Sequence, residues 1–101
     1  MNETTNPVAI VTTEYRKRLG LTYRSFAEAL GEKMVNARIS HATVMNWEKG
    51  MTDPATDFLL VCLVVYPCGD WRMQFAEACL VAKLPEVFER GDGKLHILST
   101  V

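Results

Sequence analysis

The sequence lacks the motifs that mark common enzyme classes. It contains neither a GxGxxG nor a GxxxxGK[ST] loop, so no backbone cradle for a dinucleotide or a nucleoside triphosphate is indicated. Its two histidines, His41 and His96, lie far apart and have no serine or cysteine nucleophile elbow to act on. We therefore predict a protein that is not an enzyme and that uses no cofactor.

Long hydrophobic runs and paired cysteines are also missing. The longest apolar run, residues 58–66, has about half of the roughly 20 residues that a membrane-spanning helix needs. Residues 1–7 contain no basic region followed by an apolar block, so no signal peptide is indicated. Cys62, Cys68 and Cys79 form no CxxC pair and have no histidines at zinc-ligand spacing. We expect neutral thiols, no metal, no membrane partner, and a cytoplasmic, nucleoid-associated location.

The net charge is small, at −1, but the charges are unevenly distributed. Residues 1–50 carry seven basic and five acidic side chains, whereas residues 51–101 carry four basic and seven acidic ones. The slight basic excess of the first half permits DNA binding but predicts modest affinity for a lone monomer. With 101 residues and 49% hydrophobic content, the chain suits one domain. We place this domain at residues 1–84 and a C-terminal tail at residues 85–101.

The most informative stretch, residues 40–50, predicts a short helix with two different faces. Ser40 is a good N-cap, and Gly50 can end the helix because glycine adopts the left-handed conformation without a steric penalty. Val44 and Trp47 fall on a side that can be buried. The opposite side carries a methyl group, a thioether, an amide and a cation, on Ala42, Met45, Asn46 and Lys49, with His41 at its edge. This face suits the DNA major groove, although the stretch alone would equally fit an ordinary amphipathic surface helix.

Two helices are predicted before this stretch. Asn6 and Pro7 begin the first helix, whose inward stripe is Val8, Val11, Tyr15 and Leu19. Thr22 caps the second helix, residues 23–30, which ends at Gly31 and buries Phe26, Ala27 and Leu30. The first turn of the second helix exposes Tyr23, Arg24 and Ser25. Because a helix N-terminus carries free N–H groups and a partial positive charge, this turn can bind a phosphate.

The connection between the second helix and the two-faced helix, residues 32–39, is longer than a tight turn. Either the second helix continues through Lys33 or Met34, or an extended loop turns Ile39 inward. We favour continuation of the helix into a loop. Lys33 or Arg38 could add phosphate contacts from this connection, and a solvated loop charge is an equal alternative.

A fourth helix is predicted after Gly50. Thr52, Asp53 and Pro54 resemble the cap and proline start of a helix that runs to Tyr66. The β-branched residues of this segment would also allow a buried strand, but the Asp-Pro opening favours a helix. Because the helix is apolar on every side, we expect the C-terminal region or a second subunit to cover it, which predicts a dimer.

A fifth helix and a short tail complete the predicted elements. Asp70 can cap the fifth helix, residues 71–84, which Pro85 ends and whose buried face is Trp71, Phe75, Ala78 and Ala82. The tail, residues 86–101, has two β-prone stretches around the turn signal of residues 91–93. A hairpin, an exchanged strand and a partly ordered tail all fit this pattern.

Several short sequence landmarks occur along the chain in the order that is typical of one known family. The landmarks are Leu19-Gly20-Leu21-Thr22, Phe26-Ala27, Ala29-Leu30-Gly31, Ser40, Thr43-Val44, Trp47-Glu48-Lys49-Gly50 and Pro54. Over roughly residues 8–70 the chain resembles the Cro/C1-type (Xre-like) helix-turn-helix DNA-binding family. The resemblance implies an all-α fold, a five-helix lambda-repressor-like domain whose third helix enters the major groove.

The resemblance also implies roles for individual side chains. Base contacts fall to His41, Ala42, Met45 and Asn46. Apart from the resemblance, we assign phosphate contacts to the first turn of the second helix and to residues of and around the two-faced helix: Tyr23, Arg24, Ser25, Ser40, Thr43 and Lys49. An ion pair between Arg16 and Glu48 is expected to hold the first helix against the third. Two features depart from the family pattern, because residues 32–39 form a longer connection than usual and Ala42 stands where glutamine or arginine is common.

We therefore expect a sequence-specific regulator of transcription that binds double-stranded DNA as a homodimer, as a repressor of phage, plasmid or bacterial type does. The alternative is a protein-interaction subunit or antitoxin that keeps this helical scaffold. Such a protein would hold its partner through residues 58–101. The low net charge and the small base-reading side chains favour this alternative.

Overall fold

The computed structural model describes residues 6–34, 38–92 and 94–98, which form five α-helices followed by a two-stranded antiparallel sheet. The elements are α1 (Pro7–Arg18), α2 (Tyr23–Gly31), α3 (His41–Glu48), α4 (Thr56–Val65), α5 (Trp71–Lys83), β1 (Phe88–Gly91) and β2 (Lys94–Ile97). The predicted number of helices is therefore observed, and of the alternatives for the tail the structure has the hairpin. In the described part of the chain, no helix has the length and the apolar character needed to cross a membrane.

Side-chain caps begin four of the five helices, at the residues that the sequence predicts. Asn6 accepts hydrogen bonds from the backbone N–H groups of Val8 and Ala9, at 2.9 and 3.3 Å. The other three caps are Thr22, Ser40 and Asp70. Each cap satisfies an N–H group that has no partner inside its helix, so local sequence fixes where these helices start.

The predicted start of α4 at residues 52–54 is wrong. The helix begins at Thr56, and its N-cap, Ala55, makes no side-chain capping bond. Pro54 is buried ahead of the helix, and its carbonyl oxygen accepts a hydrogen bond from Lys83 Nζ at 2.8 Å. Asp53 accepts a hydrogen bond from Asn6 Nδ2 at 3.3 Å. Tertiary contacts with α1 and α5 therefore hold this segment outside the helix.

The predicted continuation of α2 beyond Gly31 is also wrong. The chain leaves the helix in a turn, in which the backbone N–H of Met34 donates to the Gly31 carbonyl at 3.0 Å. The hydroxyl of Tyr66 donates to the Leu30 carbonyl at 2.5 Å and accepts from the backbone N–H of Lys33 at 3.3 Å. A tyrosine from the end of α4 thus takes hydrogen-bonding groups that another helical turn would have used.

Ile39, the residue before Ser40, turns inward as the alternative prediction expects. Ile39 is partly buried and packs against the core. Residues 35–37 of the predicted connection lie outside the described residues, as do Gly93 of the predicted hairpin turn and residues 99–101 of the tail.

The core lies where α5 packs against both α1 and α4, and the buried faces differ in part from the predicted ones. Leu19 follows the last residue of α1 and is 39% exposed, so its predicted inward position is wrong. On α5, Phe75 is buried as predicted, whereas the predicted Trp71, Ala78 and Ala82 are only partly buried. The fully buried neighbours are Ala76, Cys79 and Leu80. Because α5 has partners on two sides, its buried face is wider than one stripe.

The hairpin packs on this core through Phe88, which is 7% exposed. Its strands pair antiparallel, with Phe88 opposite Ile97 and Gly91 opposite Lys94. An isolated two-stranded hairpin is marginally stable in water, so burial of Phe88 stabilises this one. Part of the predicted tail is therefore a component of the core.

The three cysteines predict a selective labelling pattern. Burial raises the pKa of the Cys62 thiol to about 12 and also raises the pKa of Cys79, whereas Cys68 is exposed. Near pH 8, a maleimide should add once to the native protein and three times in denaturant, as measured by intact mass. The control is Cys68→Ser, which should add none while folded. Rapid addition of two or more groups to the native protein would contradict this burial.

Candidate nucleic-acid interface

One side of α3 anchors the helix in the core. Val44 is fully buried and Trp47 is 5% exposed. The indole of Trp47 lies 5.9 Å, centroid to centroid, from the ring of Phe58 on α4. Ser40 begins the helix by accepting a hydrogen bond from the Thr43 N–H at 3.2 Å, and Gly50 follows the helix with a φ of 73°. The helix is therefore held by its inner side and by both ends.

The predicted base-reading residues lie on the opposite side of α3. Ala42 and His41 are exposed, as is Lys49 just beyond the helix, and Met45 and Asn46 are half-buried. None of these five side chains belongs to the buried core. The spacing of positions 42, 45, 46 and 49 places the four on one helical face. This outward face of α3 presents both hydrogen-bonding and apolar groups to solvent.

The one acidic residue of α3, Glu48, is turned away from that face. Its carboxylate accepts from Arg16 Nε at 2.5 Å and from Arg16 Nη2 at 3.1 Å, in a bidentate ion pair. Thr13 of α1 also donates its hydroxyl to Glu48, at 3.0 Å. The Glu48 side chain is only 7% exposed. The expected pair is therefore present, and its hydrogen bond raises the pKa of Arg16.

Arg16 also holds the start of α2. Its guanidinium lies 4.3 Å from the centroid of the Tyr23 ring, and its Nη1 donates to the Leu21 carbonyl at 3.1 Å. Tyr23 is half-buried beneath it. One guanidinium thus joins α1, α3 and the first turn of α2, which sets the positions of these helices relative to one another.

The predicted phosphate-contacting residues are not all equally placed for that role. Arg24 and Lys49 are exposed. The Ser25 hydroxyl contacts the Thr22 hydroxyl at 2.9 Å in a capping box, and the Ser40 and Thr43 hydroxyls lie 3.1 Å apart. These hydroxyls already take part in helix capping, and Tyr23 packs against Arg16. Of the predicted phosphate-contacting residues, Arg24 and Lys49 are therefore the exposed cations that remain available to a phosphate.

An open cleft of about 530 Å³ lies between α2 and the residues that lead into α3. Met34 and Ile39 contribute apolar surface to it, and Glu28 and Arg38 contribute one charge of each sign. Lys33 and Arg38 are both exposed. This edge of the surface is therefore mixed in charge rather than uniformly basic.

Scans against protein-family models, curated proteins and solved structures find no match for this chain.

Sequence reasoning missed part of the network around Glu48. Thr13 lies three residues before Arg16, on the same side of α1, so helical spacing offered a signal for it. The packing of Tyr23 under Arg16 had no comparable signal, because it depends on how α1 and α2 meet. The helix positions were thus easier to predict than the contacts that hold them.

The buried pair predicts a characteristic double-mutant cycle. Arg16→Met should lower the free energy of unfolding by about 3 kcal/mol, because it leaves the Glu48 carboxylate buried without its cation. Adding Glu48→Met should recover part of that loss, since the unpaired charge is then removed. Urea unfolding of the wild type, both single variants and the double variant measures the coupling. Strictly additive losses would show that the two side chains do not depend on each other.

Proposed function

We propose that this protein is a sequence-specific regulator of transcription that binds double-stranded DNA, with α3 as the helix that reads bases. The observation that carries the proposal is the outward face of α3. That face holds small, amide and cationic groups, while the one carboxylate of the helix is buried against Arg16. A helix without a free carboxylate can approach the phosphates and base edges of the major groove without like-charge repulsion.

Each side chain of this face suits a particular feature of the groove. The Asn46 amide can form two hydrogen bonds with adenine, and the Ala42 methyl can pack on a thymine methyl. His41, in the first turn of α3, can donate a hydrogen bond to a base acceptor, and Met45 adds apolar contact. Few strong hydrogen-bonding groups are available, so the site should read a short sequence in each half of its operator.

Phosphate contacts would position this face on the duplex. Arg24, in the first turn of α2, and Lys49, just beyond the end of α3, are exposed cations. The N–H groups at the start of α2 add partial positive charge. Such contacts carry no sequence information but fix the register of the protein on the DNA.

The proposed DNA-binding form is a homodimer that meets through α4. Leu60, Val61 and Val64 form an exposed apolar stripe on this helix, and Val64 is 84% exposed. No charged residue occurs in residues 58–69, so two identical copies can meet along the stripe without like-charge repulsion. A dimer would place two α3 helices on successive turns of a palindromic site, which compensates for the modest charge of each copy.

The second candidate function is that of a protein-interaction subunit or antitoxin, and the same stripe favours it. An exposed apolar stripe of this kind can hold a different protein as readily as a second copy. In that case the partner would cover α4, and the outward face of α3 would have no base-reading role.

Asn46→Ala should reduce discrimination among DNA sequences while leaving the fold intact. The Asn46 backbone carbonyl accepts the N–H groups of Met51 and Thr52, and this contact does not need the side chain. Operators are first obtained by selecting random duplexes with the wild-type protein. Discrimination at one base pair should then fall about tenfold or more, which corresponds to roughly 1 to 3 kcal/mol.

Lys49→Ala should instead weaken binding to all duplexes evenly and lower the salt slope by about one. The matched control is Lys94→Ala, which removes an exposed cation from the hairpin and should leave binding unchanged. Fluorescence anisotropy at several salt concentrations measures both effects. Unchanged selectivity in Asn46→Ala, or no duplex binding by the wild type at low salt, would count against the proposal.

Val64→Asp should convert the proposed dimer into a monomer, because it places a carboxylate opposite the partner's apolar stripe. Sedimentation velocity measures the change. Ile97→Asp is the control, since Ile97 is 75% exposed on β2 and lies outside the stripe, so this variant should stay dimeric. A monomeric wild type, or a dimer that survives Val64→Asp, would rule out this interface.

A further inference from the structure

A second arginine, Arg72 at the start of α5, binds the last turn of α2. Its Nη1 donates to the Ala29 carbonyl at 3.0 Å and to Glu32 Oε1 at 2.9 Å. Its Nε and Nη2 donate to the two carboxylate oxygens of Asp70, at 3.0 and 2.8 Å. The hydrogen bonds from Arg72 hold the pKa of Asp70 below its usual range. The Arg72 side chain is only 14% exposed, so its geometry is fixed by these partners.

Tyr66 completes this arrangement from the end of α4. The Arg72 guanidinium lies 4.1 Å from the centroid of the Tyr66 ring. The Tyr66 hydroxyl binds the Leu30 carbonyl and the Lys33 N–H, as described above. Tyr66, Asp70 and Arg72 are here called the Arg72 clamp. The clamp satisfies carbonyls at the end of α2 and places a cation at the negative end of that helix dipole.

The end of α2 lies near the residue that leads into α3, because Gly31 and Ile39 line the same cleft. Helix α2 also packs directly against α3. Ile39 packs against the core and directly precedes Ser40, the N-cap of α3. The clamp therefore reaches α3 indirectly, because it binds α2 and α2 packs against α3.

The two arginines act at opposite ends of α2. Arg16 holds the start of α2 through Tyr23, and it also binds Glu48 at the last position of α3. Arg72 holds the end of α2, and α2 packs against α3. Because α3 buries Val44 and Trp47 and packs against α2, a displacement of the end of α2 would tilt α3 and change the direction of its outward face.

We propose that Arg72 is a positioning residue for α3: by clamping the end of α2 to the start of α5, it sets the direction of the base-reading face without touching DNA. This inference rests on the proposed function, which it deepens by assigning part of sequence selectivity to a side chain outside the interface. A loss of positioning reduces specific binding more than non-specific binding, because non-specific binding depends mainly on phosphate contacts.

The experiment compares Arg72→Met with Arg90→Met in the full chain. Arg90 lies on β1, is 39% exposed and is 3.7 Å from Glu77, so its replacement removes the same charge far along the chain from α2. The ratio of specific to non-specific affinity is measured for each variant at equal salt. A simple loss of folded protein lowers both affinities equally and cancels in this ratio.

Arg72→Met should lower the ratio about tenfold, a change of about 1.4 kcal/mol, and Arg90→Met should leave it within about twofold of the wild type. Tyr66→Phe is the milder variant in case Arg72→Met does not fold. It removes only the hydroxyl that binds the end of α2, and it should lower the ratio in the same direction. An unchanged ratio in the folded variant overturns the inference.

A DNA-independent measurement separates this inference from the proposed function. Backbone amide chemical shifts of residues 39–44 should change more in Arg72→Met, or in Tyr66→Phe, than in Arg90→Met. If the wild type discriminates among no duplexes, the proposed function fails. The amide shifts still decide whether Arg72 positions α3, because equal shifts in the clamp variant and Arg90→Met overturn that role.

Discussion

The ion pair between Arg16 and Glu48 is the interaction on which both the packing and the candidate interface depend. A buried carboxylate is costly unless its charge and its hydrogen-bonding oxygens are satisfied, and here Arg16 and Thr13 satisfy them. The same guanidinium also contacts Tyr23 and the Leu21 carbonyl. Burial of this one carboxylate therefore joins three helices and also keeps negative charge away from the outward face of α3.

The helix starts that depend on a local cap could be predicted from the sequence, whereas two boundaries set by distant residues could not. Asn6 caps α1 through N–H groups two and three residues away, so the signal lies within the segment itself. The end of α2 depends on Tyr66, and the start of α4 is influenced by Lys83 binding the Pro54 carbonyl. No local pattern reports such partners, because they are brought together only when the helices pack.

In the candidate interface, too, the features set by local sequence could be predicted, whereas those set by tertiary contacts could not. Helical periodicity placed Ala42 and Lys49 outward and Val44 and Trp47 inward, because a short capped helix has only one way to bury its large apolar residues. The engagement of Tyr23 with Arg16 could not be read from periodicity, since it depends on tertiary contact. The sequence thus predicts which face of α3 is exposed to solvent. The structure adds which side chains around it already bind other residues of the protein.

The docking of Phe88 changes what counts as the smallest folding unit of this chain. The apparent boundary after α5 separates helical from β-prone sequence, but Phe88 fills part of the helical core and Leu95 packs against it. A fragment that stopped at residue 84 would leave an apolar hollow on α5 open to water. The hairpin therefore covers part of the helical core. A fragment that folds stably should include the chain at least to the end of β2.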